Sequence, residues 1–154
     1  MAVMTNQTRT MKRPRVLLAD DHQMLVDALK SVLEPRCEVV GTVNNGHALL
    51  EAAPTLQPEV IVLDIAMPVM NGLTAARHLK HFVPKSKLVF LTMNEDPQIV
   101  GEAFRAGASA FLLKQAAVSE LTDAVEKVRN GGSCVTPSAA NWQADIVLRG
   151  ASSA

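Results

Sequence analysis

The sequence predicts an α/β fold, a doubly wound parallel sheet of five strands with helices on both faces. Short apolar runs alternate five times with stretches whose apolar residues recur at helical spacing. One run, Val60–Leu63, is apolar at every position, as expected of a central strand covered on both sides. The third observation concerns where the runs end. Asp20 and Asp21 follow Arg15–Ala19, Asp64 follows Val60–Leu63, Thr92 ends Lys87–Thr92, and Lys114 follows Ala110–Leu113. Ligands of open parallel sheets bind beyond the carboxyl ends of the strands, so these five polar residues should meet in one crevice.

The elements follow in order. Arg15–Ala19 is the first strand. His22–Leu33 carries Leu25, Ala28, Leu29, Val32 and Leu33 at helical spacing and is closed by Pro35. Cys37–Val43 is strand-like. Asn44-Asn45-Gly46 is a turn, and Gly46–Ala53 is a helix ended by Pro54. Pro58-Glu59 leads into the third strand. A loop over 64–72 precedes the helix Leu73–Phe82, and Lys87–Thr92 is the fourth strand. Asp96-Pro97 opens a helix that runs to about Ala106, since proline is tolerated at a first helical position. Gly107 stops it. Ala110–Leu113 is the fifth strand. Ser119 caps a last helix that continues through Leu121, Ala124, Val125 and Val128 to Asn130-Gly131-Gly132. Right-handed crossovers favour the flavodoxin-like strand order 2-1-3-4-5.

Composition narrows the function classes. The chain has 154 residues, enough for one domain plus tails. Its 15 basic and 15 acidic residues cancel, which argues against a basic nucleic-acid footprint. Cys37 and Cys134 show no metal-ligand spacing, and so low a count suits a reducing cytoplasm. Residues 1–13 are polar, lack a signal-peptide core and read as a flexible tail. No apolar run approaches the roughly 18–20 residues of a membrane span. Residues 14–132 form the domain. Residues 133–154 read as a linker or linker helix, with Trp142 and Ile146 on one face.

Three carboxylates, a hydroxyl and an ammonium suit a divalent cation and a phosphoryl group. A carboxylate such as Asp64 can attack phosphorus and form an acyl phosphate. Asp20 and Asp21 could hold Mg²⁺, which prefers oxygen ligands and retains waters. Thr92 could donate to a phosphoryl oxygen, and Lys114 could act as its point-charge partner. Each has a plainer reading as a helix cap, a turn residue or a surface lysine. Coincidence at four strand ends is the weaker account.

Leu18-Ala-Asp-Asp-His22, Asp64-Ile-Ala-Met-Pro-Val-Met-Asn-Gly72, Phe90-Leu-Thr92 and Gly107-Ala-Ser-Ala-Phe-Leu-Leu-Lys114 together resemble a two-component response-regulator receiver domain, most nearly of the NarL/LuxR-like subfamily. The resemblance covers about 15–132. It implies that Asp64 is phosphorylated by a sensor histidine kinase. It further implies that Asp20, Asp21, Asp64 and the Ala66 carbonyl organise Mg²⁺, and that Thr92 and Lys114 bind the phosphoryl group. Phe111 matches the family's aromatic switch position, coupled to Thr92. Such a domain is a cytoplasmic phospho-acceptor, not an enzyme acting on other substrates. It pairs with a second copy in many relatives and reaches DNA only through an output domain, which this sequence does not contain. Helix Ser119–Asn130 with the Trp142 segment is a candidate pairing face; alternatively Trp142 covers the domain's own core.

Four positions depart from the family's common pattern or tune it. Gln115 stands where many receivers have proline, so a trans Lys114–Gln115 bond is expected. Met93 could partly cover the site or simply fill a gap. Ala66 and Asn94 occupy positions that tune dephosphorylation. His22 could sit at the crevice rim, but a first-turn helix residue is the plainer reading, and His47, His78 and His81 read as surface helix residues. A dehalogenase-type phosphatase is disfavoured because Ala66 replaces its second acid. A stand-alone receiver serving as a phosphorelay or interaction module is the alternative to a piece of a longer transcription regulator, which Gly150–Ala154 and the subfamily wording favour.

Overall fold

The computed structural model describes residues 12–93 and 96–135. In chain order these are β1 (Arg15–Ala19), α1 (Gln23–Leu33), β2 (Glu38–Val43), α2 (Gly46–Leu56), β3 (Val60–Asp64), α3 (Gly72–Phe82), β4 (Lys87–Thr92), α4 (Pro97–Arg105), β5 (Ala108–Leu113), α5 (Lys114–Arg129) and β6 (Cys134–Val135). The sheet order is β2-β1-β3-β4-β5-β6 and every pairing is parallel. The expected five-stranded order 2-1-3-4-5 is present, extended at its edge by the two-residue β6. The expected linker therefore begins as strand at Cys134–Val135. Its remainder, including Trp142 and Ile146, lies outside the described residues, as does Asn94.

Strand alternation sorts the apolar side chains into two cores. Val16, Leu18, Val60, Val62, Val89, Leu91, Ala110 and Leu112 face α1 and α5. Leu17, Ala19, Ile61, Leu63, Leu88, Phe90 and Phe111 face α2, α3 and α4. β3 is buried along its whole length, the position its uniform apolarity predicts.

Local chemistry sets the helix starts. Asn45 accepts from the Ala48 amide at 2.8 Å, Asn71 from Thr74 at 2.9 Å and Asp96 from Gln98 at 2.9 Å. Pro97 occupies the first turn of α4. Gly107 adopts φ +109° after that helix, in the left-handed region that favours glycine.

Two boundaries differ from expectation. Pro54 lies inside α2 instead of ending it. It forfeits one bond near the end of the helix, and the last turn survives because the Gln57 amide donates to Ala53 O at 2.8 Å and the Gln57 side chain to Pro54 O at 2.7 Å. Ser119 does not cap the last helix. α5 starts directly at Lys114, and the Ser119 hydroxyl donates back to Ala116 O at 3.1 Å inside it. No described peptide bond is cis, so Lys114–Gln115 is trans as expected.

The loop from β3 to α3 contains a strained residue. Val69 has φ +68°, and the Met70 amide donates to Pro68 O at 2.7 Å across it. This is a γ-turn with a positive central φ, the rare and strained form, centred on a β-branched residue. Val69 is 82% exposed, so little burial offsets the strain. Val69→Gly should therefore stabilise the fold by roughly 0.5–1.5 kcal/mol, less if the added freedom of the unfolded chain cancels part of the relief. Urea denaturation measures this; an unchanged or lower midpoint would contradict the strain argument.

Candidate functional site

Register brings the strand ends to one level. Ala19 pairs with Leu63, Asp64 with Leu91 and Thr92 with Leu113. Alternation then sets direction. Asp20 and Asp64 come one residue after Ala19 and Leu63, so they take the side of the sheet that carries α1 and α5. Lys114, two residues after Leu112, shares it. Thr92 falls on the opposite parity, the side of Phe90 and Phe111. All four residues are buried.

The backbone around Asp64 is tightly held. Ile65 donates to Leu91 O at 3.2 Å, continuing the ladder past the strand, and Gly72 folds back to donate to Ile65 O at 2.8 Å. A Cβ at Gly72 would stand 2.3 Å from the Asp64 carbonyl oxygen, so only glycine lets the chain pass this close. The Ala66 amide donates to Asp64 Oδ1 at 3.2 Å. The other carboxylate oxygen, Oδ2, accepts from Lys114 Nζ at 2.8 Å.

Lys114 is the hub of the site. Besides Asp64, its ammonium reaches Asp20 Oδ1 at 3.3 Å and Oδ2 at 3.1 Å, and His22 Nδ1 at 2.8 Å. The His22 amide donates to Asp20 Oδ1 at 2.8 Å, which turns the chain into α1. His22 is the N-cap residue of α1, one position before the first helical turn that the sequence favoured for it, and its ring lies against the cluster, as the crevice-rim alternative expects. Burial pushes the Asp64 carboxyl above the ordinary aspartate range. The Lys114 hydrogen bond opposes this shift, and the charge of Asp20 adds to it.

Ligand atoms of Asp20, Asp21, His22 and Asp64 all lie within 4.8 Å of one another. Asp20 Oδ2 is buried and, although 3.1 Å from the ammonium, lacks an aligned hydrogen bond. A mostly oxygen donor set with an under-satisfied buried carboxylate oxygen fits a hard divalent cation. A separate hollow of about 560 Å³, lined by Gln57, Glu59, Lys85 and Arg129 among others, opens at the amino-terminal ends of the strands, away from this chemistry.

The remaining candidates separate. The Phe111 ring is fully buried among residues of the α2–α4 side, where Thr92 also points. Ala66 is exposed beside Asp64. Met93 is 73% exposed and fills no gap. His47 lies 3.6 Å from Glu51, His78 stacks on Phe82 and His81 sits in the last turn of α3, all on helix surfaces as expected. The residue that sequence reasoning undervalued is His22. Its only signal was adjacency to the acid pair.

Residues 16–126, well over half the chain, match the family described as response regulator receiver domain. The transcriptional regulatory protein LnrK of Bacillus subtilis is 31% identical over 143 residues, covering 88% of this chain and 65% of LnrK. The chain thus spans less than two thirds of that relative. The non-phosphorylated receiver domain of the stress response regulator RcsB from Escherichia coli superposes with a TM-score of 0.75 at 27% identity, covering 80% of this chain and 98% of that one. A structure of two RcsB dimers bound to two parallel DNAs gives a TM-score of 0.77 at 26% identity, over 85% of this chain and 68% of that one.

Removing the ammonium leaves two buried carboxylates uncompensated. Lys114→Met should cost roughly 3–5 kcal/mol without divalent cations, and Mg²⁺ should restore more stability to it than it adds to the wild type. Thermal melts with and without Mg²⁺ test this, and equal Mg²⁺ gains in both proteins would refute it. A pH series tests Asp64. Because its folded pKa is raised, the proton it holds stabilises the fold at low pH, and that contribution is lost as pH rises through the raised value. In metal-free buffer Asp64→Asn should therefore melt a few degrees above the wild type at pH 7. The gap should close as pH falls towards the ordinary aspartate value of 3.8. A wider gap at low pH would reverse the assignment.

Proposed function

Because the chain belongs to the response regulator receiver family, we propose that it is a phospho-accepting signalling switch in which Asp64 takes a phosphoryl group from a sensor histidine kinase. The observation that carries this reading is the buried Asp64 carboxylate, clasped by Lys114 and flanked by Asp20 and Asp21 at the carboxyl end of the central strand. An Asp64 oxygen attacks phosphorus, the P–O bond forms as the P–N bond of the phosphohistidine breaks, and the imidazole leaves with the electron pair. Asp20, Asp21, Asp64 and the Ala66 carbonyl would hold Mg²⁺. When bound, the ion offsets negative charge on the transferring group. Lys114 follows the new charge as a point-charge partner, and Thr92 donates its hydroxyl to a phosphoryl oxygen.

The response then passes to the α2–α4 side of the sheet. Thr92 and Phe111 share that side, which supports their coupling: movement of the hydroxyl towards phosphate changes the space available to the ring. Residues 14–132 act as the receiver, 1–13 as a tail and 133–154 as a lead into further structure. We infer transcriptional control through a DNA-binding output region in the cytoplasm, with pairing of two copies. The support is the chain's similarity to transcriptional regulators and to a protein seen as dimers on DNA. No described helix is long and apolar enough to cross a membrane.

The test uses Mg²⁺, a small phosphodonor such as acetyl phosphate, and intact-mass measurement. One acid-stable, base-labile phosphoryl group should appear on the wild type and none on Asp64→Asn. No adduct on the wild type, or the same adduct on the variant, would sink the assignment. Sustained turnover of phosphate esters would make the protein a phosphatase instead.

A further inference from the structure

We propose that His22 is a nitrogen ligand to the divalent cation of this site, giving it a selectivity for transition ions that three carboxylates and a carbonyl would not. The proposal rests on reading the carboxylate cluster as a cation site, and adds a residue to it. Lys114 Nζ stands 2.8 Å from His22 Nδ1. An ammonium has only protons to offer, so this contact is attractive only when Nδ1 presents its lone pair and the ring proton sits on Nε2. With the ring proton on Nε2, the tautomer that the Lys114 contact requires, His22 points a donor atom into the acidic cluster. In the same arrangement that lone pair faces Asp20 Oδ1 at 3.0 Å, an acceptor against an acceptor. A cation bound to both atoms resolves the contact, with the Lys114 ammonium withdrawn from Nδ1, since one lone pair cannot serve both. Lys114 supplies one charge; a divalent ion supplies two.

The spacing agrees. Ligand bonds of about 2.0–2.1 Å put adjacent octahedral ligand atoms about 3 Å apart and opposite ones about 4 Å apart. Nδ1 lies 3.0 Å from Asp20 Oδ1, 3.5 Å from Asp21 Oδ1 and 4.0 Å from Asp64 Oδ2. The ring needs no new backbone path, because the Asp20–His22 amide bond that starts α1 already delivers it. Mg²⁺ gains little from imidazole, whereas Mn²⁺, Co²⁺, Ni²⁺ and Zn²⁺ accept it readily.

The experiment titrates Mg²⁺ and Ni²⁺ calorimetrically into the full 154-residue chain and into His22→Ala. The His22 side chain is 60% exposed, so the variant should fold, and circular dichroism checks that it does. We expect Ni²⁺ affinity to fall at least about tenfold and Mg²⁺ affinity to change by less than about twofold. Pulsed electron spin resonance of the Mn²⁺-loaded wild type should show coupling to a directly bound nitrogen that disappears in His22→Ala. This second readout does not depend on how the variant's affinities change. Absence of nitrogen coupling in the wild type, its persistence in the variant, or equal weakening of both ions would overturn the proposal. Failure of the wild type to bind Mg²⁺ would instead remove the cation site itself. Intact Mg²⁺ binding with Ni²⁺ binding indifferent to His22 would remove only the role of His22.

Discussion

The structure is organised around one buried ammonium. Lys114 is 6% exposed and reaches Asp64, Asp20 and His22 together. Taking a carboxylate out of water costs several kcal/mol even after relaxation, so a fold that buries Asp20 and Asp64 side by side needs a charge between them. It supplies only one. Three carboxylates, counting the more exposed Asp21, face one ammonium, and an excess of two negative charges remains. That imbalance opposes burial of the acids and would favour a dication beside them. The raised proton affinity of Asp64 expresses the same tension.

Everything that delivers these groups is ordinary strand geometry. Parallel register brings Ala19, Leu63 and Leu91 to neighbouring levels, so the chain ends its apolar stretches together. Period-two alternation then separates the labour. Asp20, Asp64 and Lys114 point with the α1 and α5 side, while Thr92 and Phe111 point with the α2–α4 side. One face of the sheet holds the charges, and Thr92 and Phe111 lie on the other. Gly72 makes this possible by letting α3 start against the Asp64 carbonyl, and Val69 carries the strain of the loop between.

Much of this was legible in the sequence because it depends on period and punctuation. Uniform apolarity marked β3 as central, and the polar residues ending the strands marked the crevice. Asp96-Pro97 and Gly107 marked the limits of α4. What escaped depends on contacts between distant segments or on competition at an element's end. Pro54 was expected to end α2, yet one lost bond near a helix terminus is compensated by Gln57. Ser119 looked like a cap, but α5 begins at Lys114 directly after β5, and Ser119 falls inside it. β6 is too short to carry a pattern. The direction of the His22 ring is set by Asp20 and by Lys114, ninety-two residues away, and no local motif encodes it.

The same contacts explain why phosphoryl acceptance and cation binding should be linked in such a site. An ammonium has three protons, and here Asp64, Asp20 and His22 claim all of them. On the proposed reading, Lys114 can turn to a phosphoryl group on Asp64 only by releasing one of these acceptors. The longest contact, to Asp20 Oδ1 at 3.3 Å, is the one most readily given up. Withdrawing the ammonium from Asp20, whose Oδ2 also lies 3.1 Å from it, would leave a buried carboxylate without its counter-charge unless a cation has taken its place. Each event therefore removes a cost from the other, and the coupling must be reciprocal. A lysine shared between acceptor and metal-binding acids is enough to produce that linkage, with no long-range conformational change required.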